Sequence, residues 1–245
     1  MLANANLILH AGARRVSMDE LVEIPAPEPT KSWFPVPHHR VLDSVQCALH
    51  EAGFAVKRMD LGVSENGHKF FGVIDLASTI IEGVSLAVGV RNSTDKSLPA
   101  GIAAGERVLV CDNLAFAATI VIMRKHTRRI LDELDDRIIS GISKLAAFQQ
   151  ASAARIRRLQ ETSVNDAQAH DLLIRAVDQN CIGLRELPKV LQEWRQPSHE
   201  AFQPRTAWSL HNAFTEIAKQ RFQTNPTSAA GQTIRLNRLF TESLN

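Results

Sequence analysis

The residues of this chain that are best suited to chemistry are concentrated in the segment 89–127. It reads GVRNSTDKSLPAGIAAGERVLVCDNLAFAATIVIMRKHT. Arginine, asparagine, serine and lysine interrupt runs that are otherwise apolar, and burying such side chains is costly unless they are hydrogen-bonded. We therefore interpret this segment as the region in which a binding or catalytic site is expected.

The polar run Arg91–Ser93, continued by Lys96 and Ser97, has side chains that suit phosphate. A guanidinium forks onto phosphate oxygens or a base edge, and asparagine, serine and lysine donate single hydrogen bonds. Gly101 and Gly105 predict a loop whose backbone approaches a ligand closely. The alternative is a polar loop that satisfies its own hydrogen bonds.

Basic residues are densest in the run RKHTRR at 124–129. The formal net charge is only +2, so nucleic-acid binding requires a local basic patch and not a basic protein. The run falls at a predicted strand-to-helix junction, and its alternative is a solvated helix face. The predicted nucleic-acid contacts are Lys57, Arg58, Arg91, Asn92, Lys96, Arg124, Lys125, His126, Arg128 and Arg129, with Phe70 and Phe71 as weaker candidates for stacking on bases.

Cys111 and Asp112 allow a different interpretation, in which a thiolate nucleophile uses His126 as its base and Asp112 orients the imidazole. The alternative is a buried cysteine at the end of a strand, followed by turn residues. His38 and His39 are adjacent and diverge on a helix, and CxxC and HExxH motifs are absent from the sequence. We expect neither a metal nor a cofactor.

Composition excludes several classes of protein. The chain has 245 residues, of which 44% are apolar, and it has no run of eighteen apolar residues, so no membrane span is expected. Its three cysteines are far apart, which argues against a disulfide framework and fits a reducing cytoplasm. We therefore expect a cytoplasmic globular protein.

Apolar periodicity predicts the elements that position these residues. A helix begins near Pro37 and ends at Gly53. Two strands, 54–61 and 70–76, flank Asn66-Gly67, a pair typical of a hairpin whose two turn residues have positive φ. Further strands are predicted at 84–90, 107–111 and 119–123.

A long amphipathic helix, capped by Thr127, is predicted to follow these strands to about residue 160. Ser163 to Asp166 has the form of a capping box, and shorter helices are predicted near 164–180, 186–195, 205–222 and 232–242. The predicted fold class is α+β: an antiparallel sheet with a hairpin, preceded by a helix and packed against a long helix, plus a C-terminal helical appendage. The predicted domains are an extended N-terminal arm (1–36), an α+β core (37–162) and a helical C-terminal region (163–245).

Several motifs together resemble one protein family. They are WFPVPH at 33–38, RNSTDKS at 91–97, VCDNLAF at 110–116, KHT at 125–127, and TAWSLHNA at 206–213 with Thr215. The chain resembles the phage- and plasmid-encoded proteins grouped as family 932 of the domains of unknown function. The family often has histidine after Arg-Asn-Ser, where this chain has Thr94. The resemblance implies a mobile-element origin and a cytoplasmic location, and it implies no known reaction.

The predicted element order is also similar to the core of the single-strand annealing proteins of recombination, in which a sheet and a long helix form a basic groove. We therefore predict a non-catalytic, homo-oligomeric protein that binds single-stranded nucleic acid, DNA in the first place. Two alternatives remain open. One is an enzyme that uses Cys111, Asp112 and His126 on a nucleotide or small metabolite. The other is a module that contacts a host protein through its C-terminal helices.

Overall fold

A six-stranded antiparallel sheet forms the centre of the structure. The computed structural model of the chain describes residues 13–111 and 113–243, without the side chains of residues 117–124, 131, 220, 222–224 and 226–227. The strands are β1 (Ala13–Arg15), β2 (Val56–Ser64), β3 (Lys69–Ile81), β4 (Val84–Ser93), β5 (Ala100–Val108) and β6 (Asn113–Arg124). Each strand pairs with the next one along the chain, so β1 and β6 are the edges.

Helices precede and follow the sheet. They are α1 (Met18–Val22), α2 (His38–Glu51), α3 (Ile130–Ile142), α4 (Leu145–Glu161), α5 (Asp166–Asp178), α6 (Leu187–Arg195), α7 (Ala207–Thr224) and α8 (Pro226–Ser243). The described residues therefore confirm the predicted fold class, with a helix before the hairpin, a long helix after the sheet and a helical C-terminal region. Residues 1–12 of the expected arm lie outside the described residues. Most of the described part, 13–36, is irregular, but β1 and α1 lie within it and were not predicted.

One face of the sheet is covered by helices and forms the main core. Leu42 and Val45 of α2, Leu134 of α3 and Phe148 of α4 are buried in the same apolar cluster as alternate residues of β3 to β5, such as Ile74. Alternation follows from the pleat, which sends successive side chains to opposite faces. The helical periodicity of 130–159 is therefore explained by burial against this face.

The stretch from Thr127 to Gln160 is not one continuous helix. α3 begins at Ile130 with Arg129 at its N-cap position, so Thr127 is not the cap. The chain turns at Ser143 and Lys144 before α4 begins. The apolar stripe continues through this break because both helices bury their residues on the same sheet face.

The hairpin of β2 and β3 is confirmed, with a turn different from the expected one. Only Gly67 of the Asn66-Gly67 pair has positive φ, at 71°; among the described residues the non-glycines with positive φ are Lys96 and Asn180. Asn66 instead accepts hydrogen bonds through Oδ1 from the Ser64 hydroxyl (2.7 Å) and the His68 amide (3.1 Å). The side chain of Asn66 thus organises a longer turn than the two-residue form.

The glycine-rich ligand loop expected at 101–105 is a strand. Gly101 and Gly105 lie in β5, and Gly105 pairs with Phe116 of β6. A Cβ at Gly105 would lie 2.8 Å from the Phe116 ring, and one at Gly89 of β4 would lie 2.6 Å from it. These two glycines make room for the ring on the second face of the sheet, where it contacts Phe71. Their role is packing.

The C-terminal helix protects an edge of the sheet. On the outer side of β6, the Phe116 amide donates to Thr233 Oγ1 (3.1 Å), and the Phe116 carbonyl accepts from Asn237 Nδ2 (3.1 Å). An unprotected edge is a template for pairing with another chain, so α8 satisfies groups that would otherwise be exposed. At the start of the C-terminal region, the capping box joins Asn165 to Gln168 and not Ser163 to Asp166.

Candidate functional site

Two polar residues interrupt the helix-covered face of the sheet, one towards each end. Asn92 lies near the end of β4, and Glu106 lies near the end of β5. Both are almost completely buried, at 0% and 2% exposure. We call the two ends the Asn92 end, which contains the β2–β3 turn, the β4–β5 turn and the last residues of β6, and the Glu106 end, which contains the β3–β4 and β5–β6 turns.

At the Asn92 end, the asparagine fastens the segment before α2 to the sheet. Its Nδ2 donates to the Val36 carbonyl (2.8 Å) and to His38 Nδ1 (3.0 Å). Because His38 Nδ1 accepts, its Nε2 must be the donor to the Gly67 carbonyl at 2.9 Å. Burial, as the main cause, lowers the pKa of His38 to about 4. The imidazole is therefore neutral at pH 7.

His126 holds another segment, the basic run that follows β6, at the Asn92 end. Its main-chain carbonyl accepts from the Phe34 amide (2.9 Å), and its Nδ1 accepts from the Val36 amide (3.3 Å). The ring is 5% exposed, so His126 is a structural residue and not a surface contact. Burial lowers the pKa of His126. The consequence is that Lys125 and the residues after it are held beside the irregular segment 33–37.

Cationic side chains from four segments lie at the Asn92 end, on both faces of the sheet. They are Lys69 of β3, Arg91 of β4, Lys96 of the β4–β5 turn, and Lys125, Arg128 and Arg129 between β6 and α3. Lys96, Lys125, Arg128 and Arg129 are exposed, and no carboxylate of the described residues lies within 4 Å of these four. The Lys69 ammonium lies 3.9 Å from the Asp95 carboxylate, which partly offsets its positive charge.

Arg91 and Lys96 have distinct environments in this group. Arg91 is half-buried on the second face of the sheet, where it pairs across strands with Phe71 and Gly101, and burial lowers the pKa of its guanidinium. A guanidinium nevertheless keeps its charge in proteins. Lys96 has a left-handed backbone, with φ at 68°, and its ammonium lies 5.0 Å from the centroid of the Trp33 ring.

Other predicted contacts lie elsewhere. Lys57 and Arg58 are at the opposite end of the sheet, and Arg58 pairs with the carboxylates of Asp75 and Asp60. Asn92 is internal, as described above. Phe70 and Phe71 are buried, at 1% and 6% exposure, so neither offers a face to a base. The side chain of Arg124 and the whole of Asp112 lie outside the described part of the chain.

The geometry does not bring together the cysteine and histidine of the alternative, catalytic interpretation. Cys111 precedes β6 and His126 follows it, and the paired strand β5 spans this interval from Val108 to Ala100. Eight residue steps of a strand cover about 26 Å. Cys111 is also 5% exposed. A proton transfer from the Cys111 thiol to His126, which requires hydrogen-bond reach, is excluded by this separation.

The Glu106 end has its own polar cluster, which the sequence did not reveal. The Glu106 carboxylate pairs with Arg155 of α4. Next to it, His211 of α7 contacts Asn237 of α8 through Nε2 at 2.8 Å. Asn113 of β6 donates to the carbonyl of Asn212 in α7 at 3.4 Å. The motifs VCDNLAF and TAWSLHNA therefore meet at this end, whereas WFPVPH, RNSTDKS and KHT meet at the other.

The fold and these clusters define an α+β protein with a cationic sheet end and a second, buried polar centre. A family model described as "Domain of unknown function (DUF932)" matches residues 29–240. The chain belongs to this family. Comparison with curated proteins gave no match, and comparison with solved structures gave none either.

Two further features of the described residues concern membranes and metals. None of the helices within 13–111 and 113–243 is both long and apolar enough to cross a membrane. The same residues contain no group of three or more histidine, cysteine, aspartate or glutamate side chains suited to holding a metal ion.

Acid pH is expected to destabilise the protein through His38. An ordinary histidine titrates near 6.5 and His38 near 4, so the unfolded state takes up the proton first as the pH falls. The stability from neutral His38 is fully present above pH 6.5 and is lost progressively towards pH 4, by about 3 kcal/mol in total. Urea unfolding at several pH values between 7 and 5 measures this slope.

The matched variants are His38→Gln and His50→Gln. Both substitutions remove a histidine of α2, but His50 is exposed. We expect the dependence on pH to become shallower in His38→Gln and to stay unchanged in His50→Gln. Equal slopes in the wild type and His38→Gln would contradict the assignment.

Proposed function

We propose that this chain binds single-stranded nucleic acid, DNA in the first place, through the Asn92 end of the sheet. The observation that carries the proposal is the convergence of Lys96 and the 125–129 run on the segment 33–37. Arg91 adds a cation on the second face of the same sheet end. These residues are far apart in sequence, and buried hydrogen bonds of Asn92 and His126 hold their segments together. Exposed ammonium and guanidinium groups arranged in this way suit a phosphate backbone.

Trp33 is the proposed contact for a base. Its ring is partly exposed and lies under the Lys96 ammonium, whereas Phe70 and Phe71 are buried. A base stacks on an aromatic face without preference for sequence. When the Lys96 ammonium moves from the ring to a phosphate, the face of the Trp33 ring becomes accessible to a base. Binding with little sequence preference follows from this arrangement.

The wider role in the proposal is annealing or protection of single strands during recombination of a mobile element, with the chain acting as a homo-oligomer. The resemblance to phage and plasmid proteins and the element order similar to annealing proteins support this role. No catalytic step is included, because the proposed contacts are to phosphates and bases and involve no nucleophile.

A direct titration tests the proposal. A fluorescent oligonucleotide of about 30 nucleotides, long enough for several binding sites, is titrated with the protein while anisotropy is recorded at salt concentrations from about 50 to 200 mM. We expect affinity to fall steeply as salt rises, because phosphate contacts release counterions. A flat anisotropy signal at the lowest salt concentration would reject the proposed function.

A further inference from the structure

The Glu106 end contains a small, partly enclosed chamber between the sheet and α7. Its polar lining consists of Glu106, Asn113, His211, Asn212 and Thr215. Its volume of about 10 Å³ is room for one guest the size of a water molecule. The chamber is independent of the proposed nucleic-acid site, which lies at the opposite end of the sheet.

Four acceptor atoms of the lining residues have no hydrogen-bond partner among the described residues. They are Glu106 Oε1, Asn113 Oδ1, Asn212 Oδ1 and His211 Nδ1. All four side chains are at least nine-tenths buried. Buried acceptors are costly when they are left unpaired, so four of them around one chamber require an explanation. A single water molecule donates only two hydrogen bonds and leaves two acceptors unpaired.

His211 is prepared as a ligand. The Asn237 amide donates through Nδ2 to the Phe116 carbonyl, so its Oδ1 accepts from His211 Nε2. This leaves the lone pair of His211 on Nδ1. The ring is also clamped, stacked on Trp208 at 5.7 Å and edge-on to Phe240 at 5.1 Å. Metal-binding histidines show this pattern, in which an outer partner fixes the tautomer and the orientation.

Glu106 has an equivalent arrangement. Arg155 holds Oε2, which leaves Oε1 for a ligand. The lone pair of His211 Nδ1 and the unpaired Glu106 Oε1 are therefore both available to a guest in the chamber.

We propose that the chamber is a binding site for one divalent cation, coordinated by Glu106 Oε1, Asn113 Oδ1, Asn212 Oδ1 and His211 Nδ1. Three oxygen ligands suit Mg²⁺, Ca²⁺ and Mn²⁺, and an imidazole suits first-row transition metals, so Mn²⁺ fits the mixed set best. Since two of the ligands are asparagines, the site does not depend on a cluster of acidic residues. Its role is to fasten β6 to α7.

The test uses full-length protein stripped with a chelator, and the probes are Mn²⁺, Mg²⁺ and Ca²⁺ at equal concentrations. We expect Mn²⁺ to raise the Tm by about 3 °C or more, because a ligand that binds only the folded state stabilises it. Mg²⁺ and Ca²⁺ should have a smaller effect. Mn²⁺ should also broaden the imidazole NMR signals of His211 before those of His38.

Two variants and a control make the result specific. Glu106→Gln should abolish the Mn²⁺ effect, whereas Asp75→Asn removes another buried, arginine-paired carboxylate from the opposite sheet face and should keep it. Asn113→Asp adds a charged ligand and should tighten Mn²⁺ binding at least tenfold. The Asn113→Asp variant tests the proposed site even if Glu106→Gln does not fold.

Three outcomes would overturn the proposal. They are a Tm that does not respond to Mn²⁺, an equal response in Glu106→Gln, and an Asn113→Asp variant without tighter binding. A crystal structure with only a water molecule in the chamber after Mn²⁺ soaking would also overturn the proposal. None of these results affects the nucleic-acid proposal, because that site lies at the opposite end of the sheet.

Discussion

Reversing the charges of Lys125, Arg128 and Arg129 to glutamate should weaken oligonucleotide binding about 100-fold or more. All three side chains are exposed at the Asn92 end. A hydrogen bond to a charged group contributes roughly 1.5 kcal/mol, and three lost contacts therefore exceed two factors of ten. Because each contact to a single strand contributes about 0.7 to the slope of log affinity against log salt, this slope should fall by about 2.

A matched triple variant separates local contacts from overall charge. Lys57→Glu, Arg157→Glu and Lys189→Glu make the same change in net charge at exposed positions away from the Asn92 end. We expect this control to keep most of the affinity. The first variant should fold normally, since glutamates near the start of α3 interact favourably with the helix dipole. Equal losses in both variants would indicate non-specific attraction and would remove the proposed site.

Gly89→Ala should lower the free energy of unfolding by about 3 kcal/mol, and the Tm by about 6 to 12 °C. This change in stability is opposite in sign to the usual one, because alanine normally stabilises a strand relative to glycine. At Gly89 the new Cβ would lie 2.6 Å from the Phe116 ring. The ring cannot move away freely, since it also lies against Gly105 and Phe71. Thermal unfolding followed by circular dichroism measures the change.

The control for this prediction is Gly183→Ala, where the nearest atom to a new Cβ is 3.5 Å away. It should change stability by less than about 0.5 kcal/mol. The cause is tested by repeating Gly89→Ala in a Phe116→Leu background, where the smaller side chain should remove most of the cost. An unchanged cost in that background would show that the ring is not responsible.

Elements with strong local signals were predictable from the sequence. The helix from His38 to Glu51 has a regular apolar stripe, and the β2–β3 hairpin has Asn-Gly between two runs of strand formers. Ser17 and Glu20 form a capping box that starts α1, and its Ser-x-x-Glu pattern is a local signal in the sequence. The arm was predicted with less regular structure than it has.

Most of β5 was missed for a different reason, since the predicted strand 107–111 overlaps it only at Arg107 and Val108. The sequence AGIAAGERV has alanines and glycines, which are poor strand formers by propensity. The strand is specified by its neighbours, since Gly105 is required by a ring from β6 and the other small residues sit between two long strands. A sequence without an alignment cannot reveal such a tertiary requirement.

The candidate site was predicted in part. The basic run and Lys96 are where exposed charge was expected, because charged side chains rarely become buried unless they are paired. Asn92 and His126 were expected at the surface, but they are internal and hold the basic segments in position. The Glu106 cluster joins residues that are more than a hundred positions apart in sequence, such as Glu106 and His211. The spacing of apolar residues within one element cannot predict such long-range contacts.

The contacts of Thr233 and Asn237 with Phe116 have a practical consequence for shortened forms of the protein. A chain that ends before residue 226 loses α8 and keeps β6 with an open row of amides and carbonyls. Such a fragment is prone to add foreign strands and to precipitate. Deletion mapping of any activity therefore measures the solubility of the fragment as much as the position of a binding surface.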